Sequence, residues 1–371
     1  MKFIPVNEPL LDGNEKKYLQ DCIDSGWISS EGPYVNKLEE MFSERVGRKY
    51  GIAVCNGTAA LEAAVIAAGI KEGDEVILPS FTIISCASAI IRAGGIPVLA
   101  DSDPRTWNMK PEEVRKKITD KTKAIMAVHI YGLPVEMDRI TEIAEEFRLT
   151  IIEDAAELIG QEFRGKQCGS FGNVSTFSFY PNKHITTGEG GMIVTDDEEI
   201  AERCRSLRNL CFKAGKRFEH DELGFNFRMT NLQAAVGVAQ LERLNIFIEK
   251  KRHTGKMYNE LLSKIDELQL PLALTDYAEN IYWVYGLVLK NNRLGNAEHI
   301  MKLLNERGIG TRPFFYPMHK QPVFTKKQMF ANESYPVAEY ISEMGFYLPS
   351  GLGITDEQIV TTTDELKKIF S

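Results

Sequence analysis

Residues 176–192 read Thr-Phe-Ser-Phe-Tyr-Pro-Asn-Lys-His-Ile-Thr-Thr-Gly-Glu-Gly-Gly-Met, an apolar run followed by a lysine and a glycine-rich turn. The pattern predicts a strand with Phe177 and Phe179, a tight connection that holds Lys183, and a second strand from Met192 to Thr195. A sheltered lysine loses its proton readily, because burial disfavours the ammonium form, and the neutral amine is a nucleophile. Lys183 is therefore a candidate Schiff-base lysine, although a solvated loop lysine is the commoner arrangement.

A candidate acid lies upstream, at the end of the apolar run Leu149-Thr-Ile-Ile-Glu-Asp154. An acid at the carboxyl end of a parallel strand points into the crevice in which open α/β sheets bind ligands. Together with a Schiff-base lysine, such an acid suits the ring nitrogen of pyridoxal phosphate, whose cationic form acts as an electron sink. Taken alone, Asp154 would more often be a helix cap.

The first 250 residues alternate between strand and helix patterns. Apolar runs that predict strands lie at residues 51–54, 75–78, 96–100, 123–130 and 149–154. Helical spacing of apolar residues occurs between them, at residues 33–46, 83–92, 111–118 and 137–147. This alternation predicts a large three-layer α/β domain with a mixed, mostly parallel sheet.

The character of the sequence changes near Lys250. Helical patterns at residues 253–265, 297–307 and 356–370 there surround a β-rich run at residues 281–289. We therefore expect two domains, a large one at residues 1–249 that includes the N-terminal segment, and a small C-terminal α+β domain at residues 250–371.

Gly57, Thr58 and Ala59 begin a predicted helix directly after the strand at residues 51–54. Small residues leave the first N–H groups of a helix open to a phosphate, and the helix dipole favours its negative charge. These three residues are the predicted phosphate site, although one junction of strand, glycine and helix is weak evidence by itself.

Four motifs together identify a family. They are Phe-Ser-Phe-Tyr-Pro-Asn-Lys183 with Thr-Thr-Gly-Glu-Gly-Gly-Met, Ile-Glu-Asp154-Ala-Ala-Glu157, Cys-Asn-Gly57-Thr58-Ala59-Ala-Leu, and Gly-Phe-Asn226-Phe-Arg-Met-Thr-Asn. In this order and spacing they resemble the nucleotide-sugar aminotransferases of the DegT/DnrJ/EryC1/StrS family. The resemblance runs from Gly26 to His319 and so covers nearly all of the chain.

The resemblance implies a fold, a cofactor and an assembly. The fold is the aspartate-aminotransferase-like fold type I, the cofactor is pyridoxal 5'-phosphate, and the assembly is a homodimer with shared active sites. Lys183 and Asp154 are then the catalytic pair, and Glu157 contacts the ring hydroxyl of the cofactor. The phosphate is held by Gly57, Thr58, Ala59 and Ser178, together with Asn226 of the partner subunit.

The reaction that the resemblance implies is an amino transfer from L-glutamate to a nucleotide-linked 4-keto-6-deoxysugar, such as GDP-4-keto-6-deoxy-D-mannose, for surface polysaccharide biosynthesis. A transaminase for another keto-sugar or a small phosphorylated ketone is an alternative. A sugar dehydratase is a further one, but in related dehydratases a histidine replaces the lysine, and here Lys183 is present with His184 beside it. A ligand-responsive regulator is disfavoured, because Lys183 and Asp154 are both intact.

The sequence leaves the roles of several candidate site residues undecided. In relatives an aromatic residue covers the cofactor ring near residue 83, where this chain has Ile83, so Phe81 is the alternative cover. His129 is either a core histidine at a strand end or a neighbour of the cofactor. The predicted substrate-binding residues are Trp27, His184, Arg312, Tyr316 and His319.

Composition excludes other classes of function. The 371 residues carry a formal net charge of -8, which disfavours a general binder of nucleic acid or membrane surfaces, because phosphates recruit basic faces. The six cysteines lack metal or disulfide spacing, the N-terminus lacks the apolar core of a signal peptide, and no apolar run approaches the roughly 20 residues of a membrane span. We expect a cytoplasmic protein that binds no metal, no nucleic acid and no membrane.

Overall fold

The computed structural model describes residues 3–213 and 215–371. Its helices are α1 (Glu15–Ser25), α2 (Pro33–Val46), α3 (Gly57–Ala67), α4 (Ile84–Arg92), α5 (Pro111–Lys116), α6 (Met137–Phe147), α7 (Glu198–Arg208), α8 (Asn231–Leu241), α9 (Leu244–Leu262), α10 (Ala297–Glu306), α11 (Pro322–Thr325), α12 (Pro336–Met344) and α13 (Asp356–Phe370). Its strands are β1 (Tyr50–Val54), β2 (Glu75–Pro79), β3 (Ile96–Ala100), β4 (Thr122–Val128), β5 (Thr150–Asp154), β6 (Glu162–Phe163), β7 (Lys166–Gln167), β8 (Val174–Ser178), β9 (Gly191–Thr195), β10 (Phe212–Lys213), β11 (Lys216–His220), β12 (Leu268–Gln269), β13 (Tyr285–Leu289), β14 (Arg312–Pro313) and β15 (Gly345–Leu348). Within the described ranges, no helix combines the length and the apolar character that crossing a membrane requires.

Seven strands form one sheet in the order β1-β9-β8-β5-β4-β2-β3. The pairs β2-β3, β2-β4, β4-β5 and β5-β8 are parallel, whereas β9 runs antiparallel to both of its neighbours, β1 and β8. The predicted mixed, mostly parallel sheet is therefore confirmed. Because β4, β5 and β8 are parallel neighbours, their carboxyl ends meet at one edge of the sheet.

Helices cover both faces of this sheet. Alternate residues of a strand point to opposite faces, and β1 shows the alternation clearly. Ile52 and Val54 belong to the hydrophobic cluster that contains the buried residues of α3, α4 and α7, whereas Ala53 belongs to the cluster that contains those of α2, α6 and α8. The predicted three-layer α/β architecture is confirmed.

The C-terminal part of the chain builds a second sheet, in the order β12-β13-β15-β14, in which all pairs are antiparallel. The helix that precedes this sheet, α9, begins at Leu244 and not at the predicted His253. The prediction placed the start too late because the charged run Glu249-Lys-Lys-Arg-His253 obscures the helical spacing of apolar residues. The predicted boundary between residues 249 and 250 thus falls inside a continuous helix. The division into two domains stays a prediction.

The β-rich run predicted at residues 281–289 is a strand only from Tyr285 onward. Tyr282 adopts a left-handed backbone conformation with φ of 49°, which interrupts an extended chain. Its N–H donates to Oδ1 of Asn280 at 2.7 Å, which holds this bend in place. Residues 281–284 therefore lie outside the small sheet, and they contact the large-sheet part of the chain through hydrogen bonds from Ile281 to Gly132 and from Trp283 to Asn182.

A buried carboxylate, Glu153 of β5, holds the turn at residues 169–172. The backbone N–H groups of Gly169, Phe171 and Gly172 and the hydroxyl of Ser175 donate to Glu153. Nε2 of His129 lies 3.0 Å from Glu153, and Nδ1 of His129 accepts from a backbone N–H, so the imidazole donates through Nε2. Burial opposes ionisation of Glu153, but the hydrogen bonds from His129 and the backbone outweigh it and lower the pKa of this carboxyl.

Glu153→Gln is expected to lower the free energy of unfolding by about 3 kcal/mol, because it removes the negative charge that several buried donors share. The pKa of Glu153 is depressed below its ordinary 4.5 in the folded chain, so the loss is present above pH 4.5 and shrinks as the pH falls further. Urea unfolding followed by circular dichroism measures it. The matched control is Glu142→Gln, at an exposed carboxylate of α6, and a loss no larger than that of the control would contradict the role of Glu153.

Candidate active site

One cavity of about 660 Å³ lies at the edge where β4, β5 and β8 end and α3 begins. Val128, Asp154 and Ser178, the last residues of these three strands, all line it. This is the edge at which open α/β sheets bind ligands, because the loops that follow parallel strands diverge there and leave a crevice.

Lys183 reaches the cavity from the loop between β8 and β9. Its backbone N–H donates to the carbonyl of Tyr180 at 2.9 Å, and its side chain is only 9% exposed. Nζ lies 3.8 Å from the centre of the Trp283 ring and 3.9 Å from Oε1 of Glu157. Burial lowers the pKa of Lys183, while attraction to Glu157 and Asp154 acts in the opposite direction. The amine therefore loses its proton more readily than an exposed lysine does.

Asp154 lies on the same wall of the cavity and is buried. Its Oδ1 accepts from the N–H of Ala156 at 3.1 Å, and Sγ of Cys86 donates to its Oδ2 at 3.3 Å. Burial raises the pKa of Asp154, and these hydrogen bonds together with Lys183 oppose the rise. The chain continues from Asp154 in turns, so this acid caps no helix.

Glu157 is the second acid of the cavity. Its Oε2 accepts from the N–H of Tyr131 at 2.8 Å, and its side chain is 9% exposed. Burial raises the pKa of Glu157 to about 8, with Lys183 acting against the rise. At neutral pH the carboxyl therefore carries a proton and is able to donate a hydrogen bond.

The start of α3 and the end of β8 form a small polar cradle. A Cβ at Gly57 would lie 2.8 Å from Cβ of Ser178, so only glycine allows the helix to approach the strand this closely. Oγ1 of Thr58 lies 2.9 Å from Oγ of Ser85. The N–H of Ala59 already donates to the side chain of Asn56, the N-cap, so Gly57 and Thr58 supply the open backbone donors of the first turn.

Two further polar atoms at the cavity have no hydrogen-bond partner among the described residues. Oγ1 of Thr176 and Oδ1 of Asn182 are both buried, and both residues line the cavity. Buried polar atoms are nearly always paired in folded proteins. The cavity thus offers unused polar groups to a ligand.

The cover of the cavity is aliphatic at residue 83. Ile83 is the N-cap of α4, lines the cavity and is 44% exposed. Phe81 is fully buried, and its ring packs against those of Tyr131 and Phe314, with centroids 5.8 Å apart in each case. Phe81 therefore packs among other rings and is not one of the residues that line the cavity.

Two of the predicted substrate-binding residues lie away from the cavity. His184 is buried with Nε2 3.4 Å from the carbonyl of Ile281, and burial lowers its pKa to about 3, so it is neutral. His319 is also buried, with Nδ1 2.8 Å from Oγ of Ser80 and Nε2 3.1 Å from Glu339. Both histidines connect packed segments, which their sequence positions beside a lysine and a proline-rich stretch do not reveal.

The other predicted contacts lie on the surface of the single chain. Trp27 is 49% and Tyr316 is 52% exposed, and Arg312 pairs in the small sheet with Tyr347, which does line the cavity. Asn226 lies outside the cavity of its own chain, and its Oδ1 accepts from Nε of Arg228 at 2.9 Å.

Sequence reasoning missed the aromatic wall of the cavity. Trp283, Phe315 and Tyr347 line it, and the rings of Trp283 and Phe315 are stacked at 15° with centroids 6.5 Å apart. Trp283 lies in the β-rich run predicted at residues 281–289, which was not assigned to the site. The polar Asn280 directly before that run was the available signal that the strand starts later.

The family follows from comparison with known proteins. A model of the DegT/DnrJ/EryC1/StrS aminotransferase family matches residues 9–367. The chain belongs to this family of aminotransferases.

Individual relatives match over nearly their full length. The GDP-perosamine synthase of Escherichia coli O157:H7 is 40% identical over 371 residues, which cover 100% of each chain. The GDP-perosamine synthase of Vibrio cholerae is 41% identical over 371 residues, or 99% of each chain. Among solved structures, the aminotransferase TlmJ from Streptoalloteichus hindustanus superposes with a TM-score of 0.92 at 29% identity, covering 99% of this chain and 98% of that one.

Glu157→Gln tests the protonation of Glu157. The folded chain keeps a proton on Glu157 up to about pH 8, whereas the unfolded chain releases it near the ordinary pKa of 4.5. The unfolding free energy of the native chain, measured relative to that of the variant, is therefore expected to fall as the pH rises from about 4.5 to about 8. Urea titrations of both proteins across this range measure the difference. A flat difference, as expected for Glu142→Gln, would mean that folded Glu157 is ionised at neutral pH.

Proposed function

We propose that the chain is a pyridoxal 5'-phosphate-dependent aminotransferase that transfers an amino group from L-glutamate to a nucleotide-linked 4-keto-6-deoxysugar. GDP-4-keto-6-deoxy-D-mannose is the proposed acceptor and GDP-perosamine the product, by similarity to the two GDP-perosamine synthases. The observation that carries the proposal is the buried amine of Lys183 in one cavity with the buried acids Asp154 and Glu157. Surface polysaccharide, including lipopolysaccharide O-antigen, is the proposed destination of the product.

The residues of the cavity fit the cofactor. The open N–H groups at the start of α3, with the hydroxyls of Thr58 and Ser178, suit a phosphate. When bound, pyridoxal phosphate supplies an aldehyde for an amine and a cationic ring that takes up electrons. Asp154 would face the ring nitrogen, and a cation there favours the ionised form of this acid against its burial. Glu157 would contact the ring hydroxyl, and its own proton makes it a donor to that oxygen.

Lys183 performs the proton transfer in this proposal. Its neutral amine accepts a proton at Nζ from the α-carbon of the amino donor and returns a proton to the product. Burial lowers the pKa of Lys183, which keeps part of the population in the basic form. The Trp283 ring, whose centre lies 3.8 Å from Nζ, shields the amine from water on that side.

We further propose a homodimer with shared active sites. Asn226 does not line the cavity of its own chain, and Arg228 donates to its carbonyl oxygen, which leaves the amide N–H groups for another partner. Those N–H groups would hold the cofactor phosphate of the second subunit. The exposed rings of Trp27 and Tyr316 supply apolar surface for the contact.

The cytoplasm is the proposed location. All six cysteines lie within the described ranges and are free thiols, which is typical of a reducing compartment. The dehydratase alternative is set aside, because Lys183 is present and the neighbouring His184 is buried away from the cavity.

Glutamate-dependent amination of a panel of GDP-, UDP-, dTDP- and CDP-linked 4-ketosugars tests the function. The GDP-linked 4-keto-6-deoxysugar is expected to react at least tenfold faster than the others, a difference of about 1.4 kcal/mol in barrier height. Lys183→Ala is expected to abolish turnover, and Lys166→Ala, at an exposed lysine, to retain it. Borohydride should fix the cofactor on the peptide that carries Lys183. Full turnover of Lys183→Ala would overturn the assignment.

The shared site is tested with two variants in one dimer. Lys183→Ala and Asn226→Asp chains are co-expressed with different affinity tags and purified through both tags. The hetero-dimer has one site with both substitutions and one intact site, so about half of the native turnover per dimer is expected, against almost none for either parent. A hetero-dimer as inactive as its parents would place both residues in the same subunit's site.

A further inference from the structure

A second buried lysine, Lys251 of α9, lies outside the cavity. It is 2% exposed, and its Nζ donates to the carbonyl of Trp283 at 2.8 Å and to the carbonyl of Ser350 at 2.5 Å. Within residues 3–213 and 215–371, Lys251 makes no salt bridge with a carboxylate. Lysines are almost never fully buried without a charged partner, so the position of this amine requires an explanation.

Trp283 connects Lys251 to Lys183. The indole N–H of Trp283 donates to the carbonyl of Asn182 at 2.8 Å, directly before Lys183 in the chain. The indole ring faces Nζ of Lys183, 3.8 Å from its centre. The residue whose carbonyl Lys251 binds is therefore the residue whose ring contacts the candidate catalytic amine.

The segment that carries Trp283 is stabilised by contacts with other segments and not by strand pairing. Tyr282 is in the left-handed conformation, which costs roughly 1 to 2 kcal/mol for a residue with a Cβ. The regular hydrogen bonds of β13 begin only at Tyr285, whose N–H donates to Oγ of Ser350 at 3.1 Å. Lys251 thus joins a helix, the segment before β13 and the segment after β15 at one point.

We propose that Lys251 is a positioning residue for Lys183. By binding the carbonyls of Trp283 and Ser350, it holds the indole ring against the Lys183 amine and so sets how readily that amine gives up its proton. The consequence for transamination rests on the proposed function, but the effect on Lys183 itself requires no cofactor.

Two effects of Lys251 on Lys183 have opposite signs. The ring of Trp283 stabilises the ammonium form through a cation–π contact, so loss of the ring's position lowers the pKa of Lys183. A positive charge on Lys251 repels the ammonium directly, so loss of that charge raises the pKa. The two effects separate only when Lys251 is changed both with and without the indole ring.

A double-mutant cycle makes this separation. The full-length chain freed of cofactor is labelled with trace acetic anhydride at a series of pH values, and mass spectrometry of the Lys183 peptide gives its labelling midpoint. The midpoint is compared in the native chain, Lys251→Met, Trp283→Leu and the double variant. Positioning through Trp283 predicts that the midpoint change caused by Lys251→Met is about half a pH unit more negative in the native background than in Trp283→Leu, where only the loss of charge acts. Equal effects in both backgrounds would overturn the proposal.

Controls distinguish positioning from loss of the fold. Lys256→Met removes an exposed lysine from the same helix and should leave the midpoint unchanged. Lys251→Arg keeps two donors for the carbonyls and should retain most of the native midpoint, whereas a midpoint shifted as far as in Lys251→Met would count against positioning. If Lys251→Met does not fold, Lys251→Gln takes its place, because its shorter amide cannot reach both carbonyls. Since labelling needs no cofactor, its outcome is independent of the amination assay.

Discussion

The burial of one amine is the constraint on which the site depends. Lys183 is held in a cavity with two acids and an indole ring, and these neighbours offset the free-energy cost of burying its ammonium form. Glu157 and Asp154 favour the ammonium form when they are ionised, whereas desolvation disfavours it more strongly. The result is an amine that is neither a fully charged surface lysine nor an uncompensated buried cation. Such a group gives up its proton more readily than an exposed lysine does.

Two adjacent acids on β5 have different roles, one in the stability of the fold and one at the cavity. Glu153 and Asp154 point to opposite sides because successive strand residues alternate. Glu153 receives several donors, has a lowered pKa and holds the turn at residues 169–172, while Asp154 has few partners and a raised pKa. His129 links the two environments, since it donates to Glu153 and also lines the cavity. His129 is thus a buried core histidine that also lines the cavity, and its role as a neighbour of the cofactor stays a prediction.

Much of the fold was predictable from local pattern. The helices Pro33–Val46, Met137–Phe147 and Asp356–Phe370 have the predicted ends, because their apolar spacing is regular and a proline or a polar residue marks each start. The meeting of Lys183 and Asp154 also followed, since strand ends of a parallel sheet share one edge. The left-handed Tyr282, the helix through Lys250 and the buried Lys251 could not be predicted, because each is stabilised by residues distant in sequence. For the same reason His184 and His319 were predicted to bind substrate, although both are buried and lie close to residues of other segments, Ile281 and Glu339 respectively.

The continuity of α9 limits how this protein can be divided. Leu244, Phe247 and Ile248 near its start pack in the cluster beneath the large sheet, whereas Tyr258 and Leu262 pack with the small one. A Cβ at Gly160 would lie 2.5 Å from Ile248, so the first half of the helix is seated tightly. A fragment cut at residue 250 would expose both halves of this interface. Neither piece is then a good unit for expression alone or for grafting onto another protein, and chimaeras with relatives are better joined in the loop that follows Leu262.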